Sequence, residues 1–222
     1  MVSTERIIDA TVGARPRPGN GYPKNGGGRF GNDGEPLQFS PSRYRIGAWL
    51  AIASIVMLFT ALISSYIVRS ASGDDWVPIA MPKVLWLSTA LILISSVTME
   101  ISRRSLKSVN DAGYGRWLIA TAVLGLAFLG AQLLAWRQLA RQGVYMASNP
   151  HSSFFYLFTA AHGLHLLGGL VALGYLVLRT TNKRGTPEGE LRRAGAADAA
   201  SIYWHFMDGL WVGLFLLLFF WR

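Results

Sequence analysis

The sequence predicts an all-α, polytopic membrane protein with five transmembrane helices, its N-terminus inside and its C-terminus outside. Three observations lead there. Only 15% of the 222 residues are charged, where a soluble domain carries about a quarter. Half are apolar (51%) and they fall in long blocks, as in a chain that crosses hydrocarbon repeatedly. The Lys and Arg residues lie between those blocks, and almost all on alternate sides.

Residues 1–45 are a different kind of sequence. The run "RPRPGNGYPKNGGGRFGNDGEPLQFSPSR" is rich in Gly, Pro and charge. It holds too little apolar surface to offset its ordering entropy, so it reads as a flexible cytoplasmic tail. It lacks the apolar core of a signal peptide.

Five apolar spans follow, at about residues 46–68, 84–101, 117–136, 154–178 and 199–221. A helix needs about 20 residues to cross about 30 Å of hydrocarbon. The second span is the shortest, which puts Glu100 near the head groups at its end. Counting Lys and Arg, sixteen lie in the tail, the second-to-third loop and the fourth-to-fifth loop, and five lie opposite. That asymmetry sets the predicted orientation. It also accounts for the net charge of +9 without nucleic acid, for which no separate basic helix or stacking motif exists. The chain has no cysteine, which excludes disulfides, thiolate metal sites and Cys-held haem or iron–sulfur groups.

Small residues let helices approach closely in lipid. Gly47 with Ala51, Gly163, Gly168 and Gly169, and the Gly209–Gly213 pair are the expected packing positions. Tyr156, Tyr203, Trp204 and Trp221 fall near span ends, where interfacial anchors belong.

Ionisable and amide groups inside a span are costly and point to function by default. Here they are Glu100, Gln132, His162, His165, His205 and Asp208. His162 and His165 share a helix face, as do His205 and Asp208. At 1.5 Å per residue, His165 lies roughly 18 Å below the outer end of span four and Asp208 roughly 13 Å above the inner end of span five. These depths nearly coincide, so an Asp208–histidine pair is allowed, and it would relieve the desolvation of the carboxylate. Three readings follow: a metal or haem site, a proton or solute path, and a structural polar cluster that fixes helix register. The donors are sparse and no H-E-x-x-H occurs, which favours the structural cluster over a metal. No G-x-S-x-G accompanies the serines, so nucleophilic catalysis has no support.

The sequence resembles subunit III of the haem–copper oxidases, in its short five-helix bacterial form. "YWHFMDGLW" (Tyr203–Trp211) is similar to the family's last-helix signature, and "FFYLFTAAHGLHLLGGLVAL" (Phe154–Leu173) to its H-G-x-H helix. "GAWLAIASIVMLFTALISSYIVR", "LWLSTALILISSVTMEISRRSL" and "GAQLLAWRQL" resemble the first three helices. The likeness spans about residues 45–222, with five motifs in order.

The resemblance implies an accessory subunit of a proton-pumping cytochrome c oxidase in an aerobic respiratory chain. Such a subunit holds no catalytic, metal or redox site of its own. Haem and copper sit in partner subunits. It contacts subunit I directly, accompanies subunit II and small subunits, binds phospholipid, sustains proton uptake and can join a larger respiratory assembly in the bacterial plasma membrane. The family often carries a glutamate in the first helix and another in the third; here those places hold Ile55 and Ala135. The same fold also serves a quinol oxidase or a nitric oxide reductase. A free-standing transporter or haem-binding membrane protein is the alternative from another class.

Overall fold

Runs of Leu, Ala, Ile and Val without internal proline make helices, and in lipid a helix satisfies every backbone group internally. A computed structural model describes residues 42–72, 76, 81–108, 111–181 and 187–221, all within one unit spanning Phe39–Arg222. The tail expected over residues 1–45 lies outside the described residues, except for its last four positions.

Those four positions are already helical. The elements are α1 (Ser42–Ser72), α2 (Val84–Lys107), α3 (Asp111–Arg141), α4 (Pro150–Thr181) and α5 (Pro187–Phe220). All five are long and apolar enough to cross a membrane. Each runs past the span expected from the apolar residues alone. Helices of 31 to 34 residues reach roughly 46–51 Å, well beyond about 30 Å of hydrocarbon. The extra turns carry Arg, Lys, Glu and Ala, all of which favour helix. The second span shows the same effect: α2 continues six residues past Ile101 to Lys107.

Local chemistry marks the ends. Gly143 adopts φ +76°, and the Gly143 and Val144 amides close back on the carbonyls of Ala140 and Leu139. This is a glycine-ended helix stop. Pro150 then opens α4 at a position that needs no amide donor. The Asn149 side-chain oxygen caps the Ser152 amide at 2.8 Å, while the Asn149 amide donates to Ser152 Oγ at 3.2 Å.

In packing order, α2 lies on α3, α3 on α4, α4 on α5 and α5 on α2, closing a ring of four. The α1 helix leans on the seam between α4 and α5. One end of the ring is basic: Arg103 of α2 is bonded to Asp198 of α5 at 2.9 Å, and the guanidinium of Arg193 lies 4.8 Å from the Tyr114 ring centre of α3.

The ring is centred on Trp204. It is wholly buried and donates from Nε1 to Ser95 Oγ of α2 at 3.1 Å. A Cβ on Gly125 of α3 would come within 2.8 Å of its ring, and one on Gly169 of α4 within 3.4 Å. Trp204 is therefore a core residue rather than the expected interfacial anchor. The reason is the early start of α5, which puts Trp204 seventeen residues inside the helix instead of near its end.

The packing glycines also differ from expectation. Gly169 takes close neighbours, and Gly163 faces Leu129 at 3.5 Å. Gly47, Gly168, Gly209 and Gly213 face open space, with nothing within 4 Å of an added Cβ. They hold no helix pair together among the described residues. Gly125, four residues after Thr121 and not among the expected packing positions, makes the closest approach.

Candidate functional site

The serines and threonines of α2 line up on a face. Ser88, Ser95 and Ser102 recur every seven residues, and each is completely buried. In water such residues favour caps and turns over helix interiors. In a membrane helix their hydroxyls bond backward to carbonyls and still reach a neighbouring helix.

From these hydroxyls a polar seam runs along the α2 face of the ring. Gln132 Nε2 of α3 donates to Ser88 Oγ at 3.0 Å. Trp211 Nε1 of α5 donates to Thr89 Oγ1 at 3.1 Å. The Trp204–Ser95 bond lies further along. Ser96 Oγ and His205 Nδ1 are 2.7 Å apart, with the donor set by the imidazole tautomer. Thr98 and Thr121 hydroxyls meet at 2.8 Å, and Ser102 Oγ donates to the Tyr114 carbonyl at 3.2 Å. At the basic end Glu100 accepts from Arg104 at 2.9 Å and from Arg103 at 3.4 Å. These ion pairs are partly exposed, so each contributes about 0–1 kcal/mol.

The predicted polar residues do not form one cluster. His162 is fully buried, and among the described residues neither ring nitrogen has a hydrogen-bond partner. Its ring packs against Phe128 at 5.6 Å and Trp211 at 5.2 Å between centres. His165, three residues on, turns to α1: its ring lies 5.9 Å from Phe59, and Nδ1 is 2.6 Å from the Ala161 carbonyl of its own helix.

Asp208 is 3% exposed. Among the described residues neither of its oxygens makes a hydrogen bond of full geometry; one turn before it on the same face of α5, His205 meets the Ser96 hydroxyl of α2. The expected Asp208–histidine pair is thus not formed. Equal depth did not suffice, because His165 faces the α1 side and the polar neighbour of Asp208 comes from α2. Ile55 and Ala135 are both buried in apolar packing.

Residues missed in the sequence include the α2 hydroxyls themselves, whose seven-residue repeat was a readable signal. Tyr66 is another. It is wholly buried and donates to the Trp221 carbonyl at 2.5 Å, tying α1 to the end of α5. Tyr203 donates to the His165 carbonyl at 2.9 Å, joining α5 to α4. Trp136 Nε1 bonds Thr159 Oγ1 at 3.0 Å, joining α3 to α4.

Several clefts open on the outside of the ring, and two of them reach the polar or glycine positions expected from the sequence. One, of about 430 Å³, lies between α1, α4 and α5, with Tyr44, Ala48, Gly168, Gly169, Tyr175 and Tyr203 in its lining. The other, of about 290 Å³, is lined by Ser96, Val97, Glu100, Ile101, Arg104 and His205. Among the described residues, no three His, Asp or Glu side chains stand together as metal ligands.

Five long apolar helices, four of them tied by hydrogen bonds at membrane depth, make this a multi-pass membrane protein. The sequence profile of cytochrome c oxidase subunit III matches residues 33–222. A probable cytochrome c oxidase subunit 3 of Nocardia farcinica is 32% identical over 186 residues, covering 82% of this chain and 90% of the relative. The cytochrome c oxidase subunit 3 of Corynebacterium diphtheriae is 29% identical, over 81% of this chain and 89% of its own. That of a Bacillus species is 28% identical, over 78% and 84%. The chain belongs to the cytochrome c oxidase subunit III family. Membership places it in an oxidase complex of the respiratory chain, in association with other oxidase subunits.

Proposed function

We propose that this chain is the accessory, non-redox subunit III of a proton-pumping cytochrome c oxidase in the bacterial plasma membrane. It lies with its N-terminus inside and its C-terminus outside. The family match across residues 33–222 carries this reading, and the sixteen-to-five division of Lys and Arg supports the orientation. The chain stabilises subunit I, sustains proton uptake and performs no redox chemistry of its own. The scattering of its histidines and acids across separate helix faces is in keeping with that role.

The cleft between α1, α4 and α5 suits a phospholipid. Its lining is small and aromatic, so acyl chains can lie against Gly168 and Gly169. Arg179 sits over the Tyr175 ring at 5.8 Å, which puts a cation beside the cleft for the head-group phosphate.

Copurification tests the assignment. A tag on this chain should bring down a haem–copper subunit with its oxidised and reduced spectra, together with a subunit II. Recovery of the chain without any haem–copper subunit would overturn the reading.

A further inference from the structure

We propose that Asp208, Ser96 and His205 form a proton-exchange unit that connects the buried Asp208 carboxyl to the cleft at the basic end of the α2–α5 face. The inference goes beyond a supporting role, because it gives the chain a proton-binding site of its own.

Three observations on the same few residues converge. First, Asp208 is nine-tenths or more buried, makes no hydrogen bond of full geometry among the described residues, and stands one turn from His205 on the α5 face that meets the Ser96 hydroxyl. Second, the same Ser96 Oγ is 2.7 Å from His205 Nδ1. Third, His205 and Ser96 line an open cleft with Glu100 and Arg104. One hydroxyl and one imidazole therefore separate a buried carboxyl from an accessible surface.

The rest of the seam lacks this property. Gln132–Ser88, Trp211–Thr89, Trp204–Ser95 and Thr98–Thr121 join groups that do not titrate in the physiological range. Such bonds fix register. The Asp208–Ser96–His205 set alone joins a buried ionisable group to a half-buried one through a shared hydroxyl.

The chemistry needs no further reagent. An imidazole takes a proton on one nitrogen and releases one from the other, and a hydroxyl accepts and donates at once. A proton from hydronium in the water that reaches the cleft binds His205 Nε2. The Nδ1 proton passes to Ser96 Oγ, and the hydroxyl proton that Ser96 already held passes to an Asp208 oxygen. One N–H bond (at Nε2) and two O–H bonds (at Ser96 and Asp208) form as one N–H bond (at Nδ1) and two O–H bonds (in the hydronium and at Ser96) break. His205 ends neutral in the other tautomer, Ser96 is regenerated, and Asp208 becomes a neutral carboxylic acid. Nothing is oxidised or reduced.

The charged and titratable surroundings are known from each neighbour. Glu100 and Arg103 of α2 are the charged groups near enough to act on His205, with Arg104 lining the same cleft. Asp198 of α5 is committed to Arg103. The α4 helix contributes His162 and His165, and residues 46–68 of α1 hold no charged group.

Carboxyl hydrogen exchange tests the route directly, without reading oxidase turnover. The intact complex carrying this chain, in lipid, is moved from H2O to D2O and followed by infrared spectroscopy. The protonated-carboxyl band of Asp208 is the one that Asp208→Asn removes. In the unaltered chain that band should shift promptly to its deuterated position. In Ser96→Ala and His205→Phe the shift should slow about tenfold or more. Ser96→Thr, which keeps the hydroxyl, should retain the fast rate. Should His205→Phe fail to assemble, His205→Gln carries the same expectation, since an amide holds the hydrogen bond but relays no proton. Equal rates in all variants would overturn the proposal, as would the lack of any exchanging Asp208 band.

Discussion

The α1 and α5 helices are similar in length and both cross the membrane, but they are held in opposite ways. Within its most apolar window α1 is 17% buried, and α5 is 39% buried. The α5 helix touches α1, α2 and α4, and it is pinned by directed bonds from Trp204, His205, Trp211 and Tyr203. The α1 helix holds on through Phe59 and Tyr66, with two hydrogen bonds to Trp221 at the end of α5: Tyr66 donates to its carbonyl, and its Nε1 donates to Ser70 Oγ at 3.1 Å. Lipid tails are as apolar as a leucine face, so burial alone draws membrane helices together weakly. Close packing and hydrogen bonds must do it, and this chain concentrates both on the four-helix ring.

The largest effect should come from breaking the centre of that ring. Trp204→Ala removes a wholly buried indole that touches three other helices and should cost about 3–5 kcal/mol. Gly125→Ala attacks the same place from the other side. Its Cβ would lie 2.8 Å from the Trp204 ring and 3.1 Å from Leu170, and it should cost about 1–3 kcal/mol. Detergent titration of the complex reads both as earlier loss of this chain. If Gly125→Ala survives as well as the parent, Trp204 is not confined as the structure shows.

A smaller effect is expected on the α1 side. Tyr66→Phe deletes one hydroxyl and its bond to the Trp221 carbonyl, and should cost about 0.6 kcal/mol and no more than about 1.7. Limited proteolysis in detergent should release the α1 segment sooner while the other four helices stay together. Uniform loosening of all five would erase the contrast between the two regions.

The contrast also explains what could be read from the sequence. The five spans and the helical class follow from hydrophobic blocks, because the bilayer imposes their length. Helix ends were harder to place, because Arg, Lys and Glu continue a helix beyond the hydrocarbon at no cost. His162, His165, His205, Asp208, Gln132 and Glu100 stand out in a sequence because charge and amide are rare at that depth. Their partners do not stand out, because Ser88, Ser95 and Ser96 look unremarkable in an apolar run. Which way a ring turns depends on the neighbour helix. His162 and His165 share a face by spacing, but the first is packed against α3 and α5 and the second against α1. The same limit misled the glycines: a GxxxG repeat marks where close approach is affordable, and Gly125 shows that the approach itself needs a bulky residue opposite.

The smallest expected effect follows from that last point. Gly209→Ala and Gly213→Ala add a methyl group where no atom of the described residues lies within 4 Å. Within the chain the double change should alter stability by less than about 0.5 kcal/mol, and alanine's better helix propensity opposes any loss. The variant's own five-helix fold should therefore melt with the parent's in detergent. A loss confined to the assembled complex, with the isolated chain unaffected, would place another subunit's helix against this stripe. A loss in the isolated chain would instead mean that α5 packs through these glycines, and that the ring is closed differently from the structure described above.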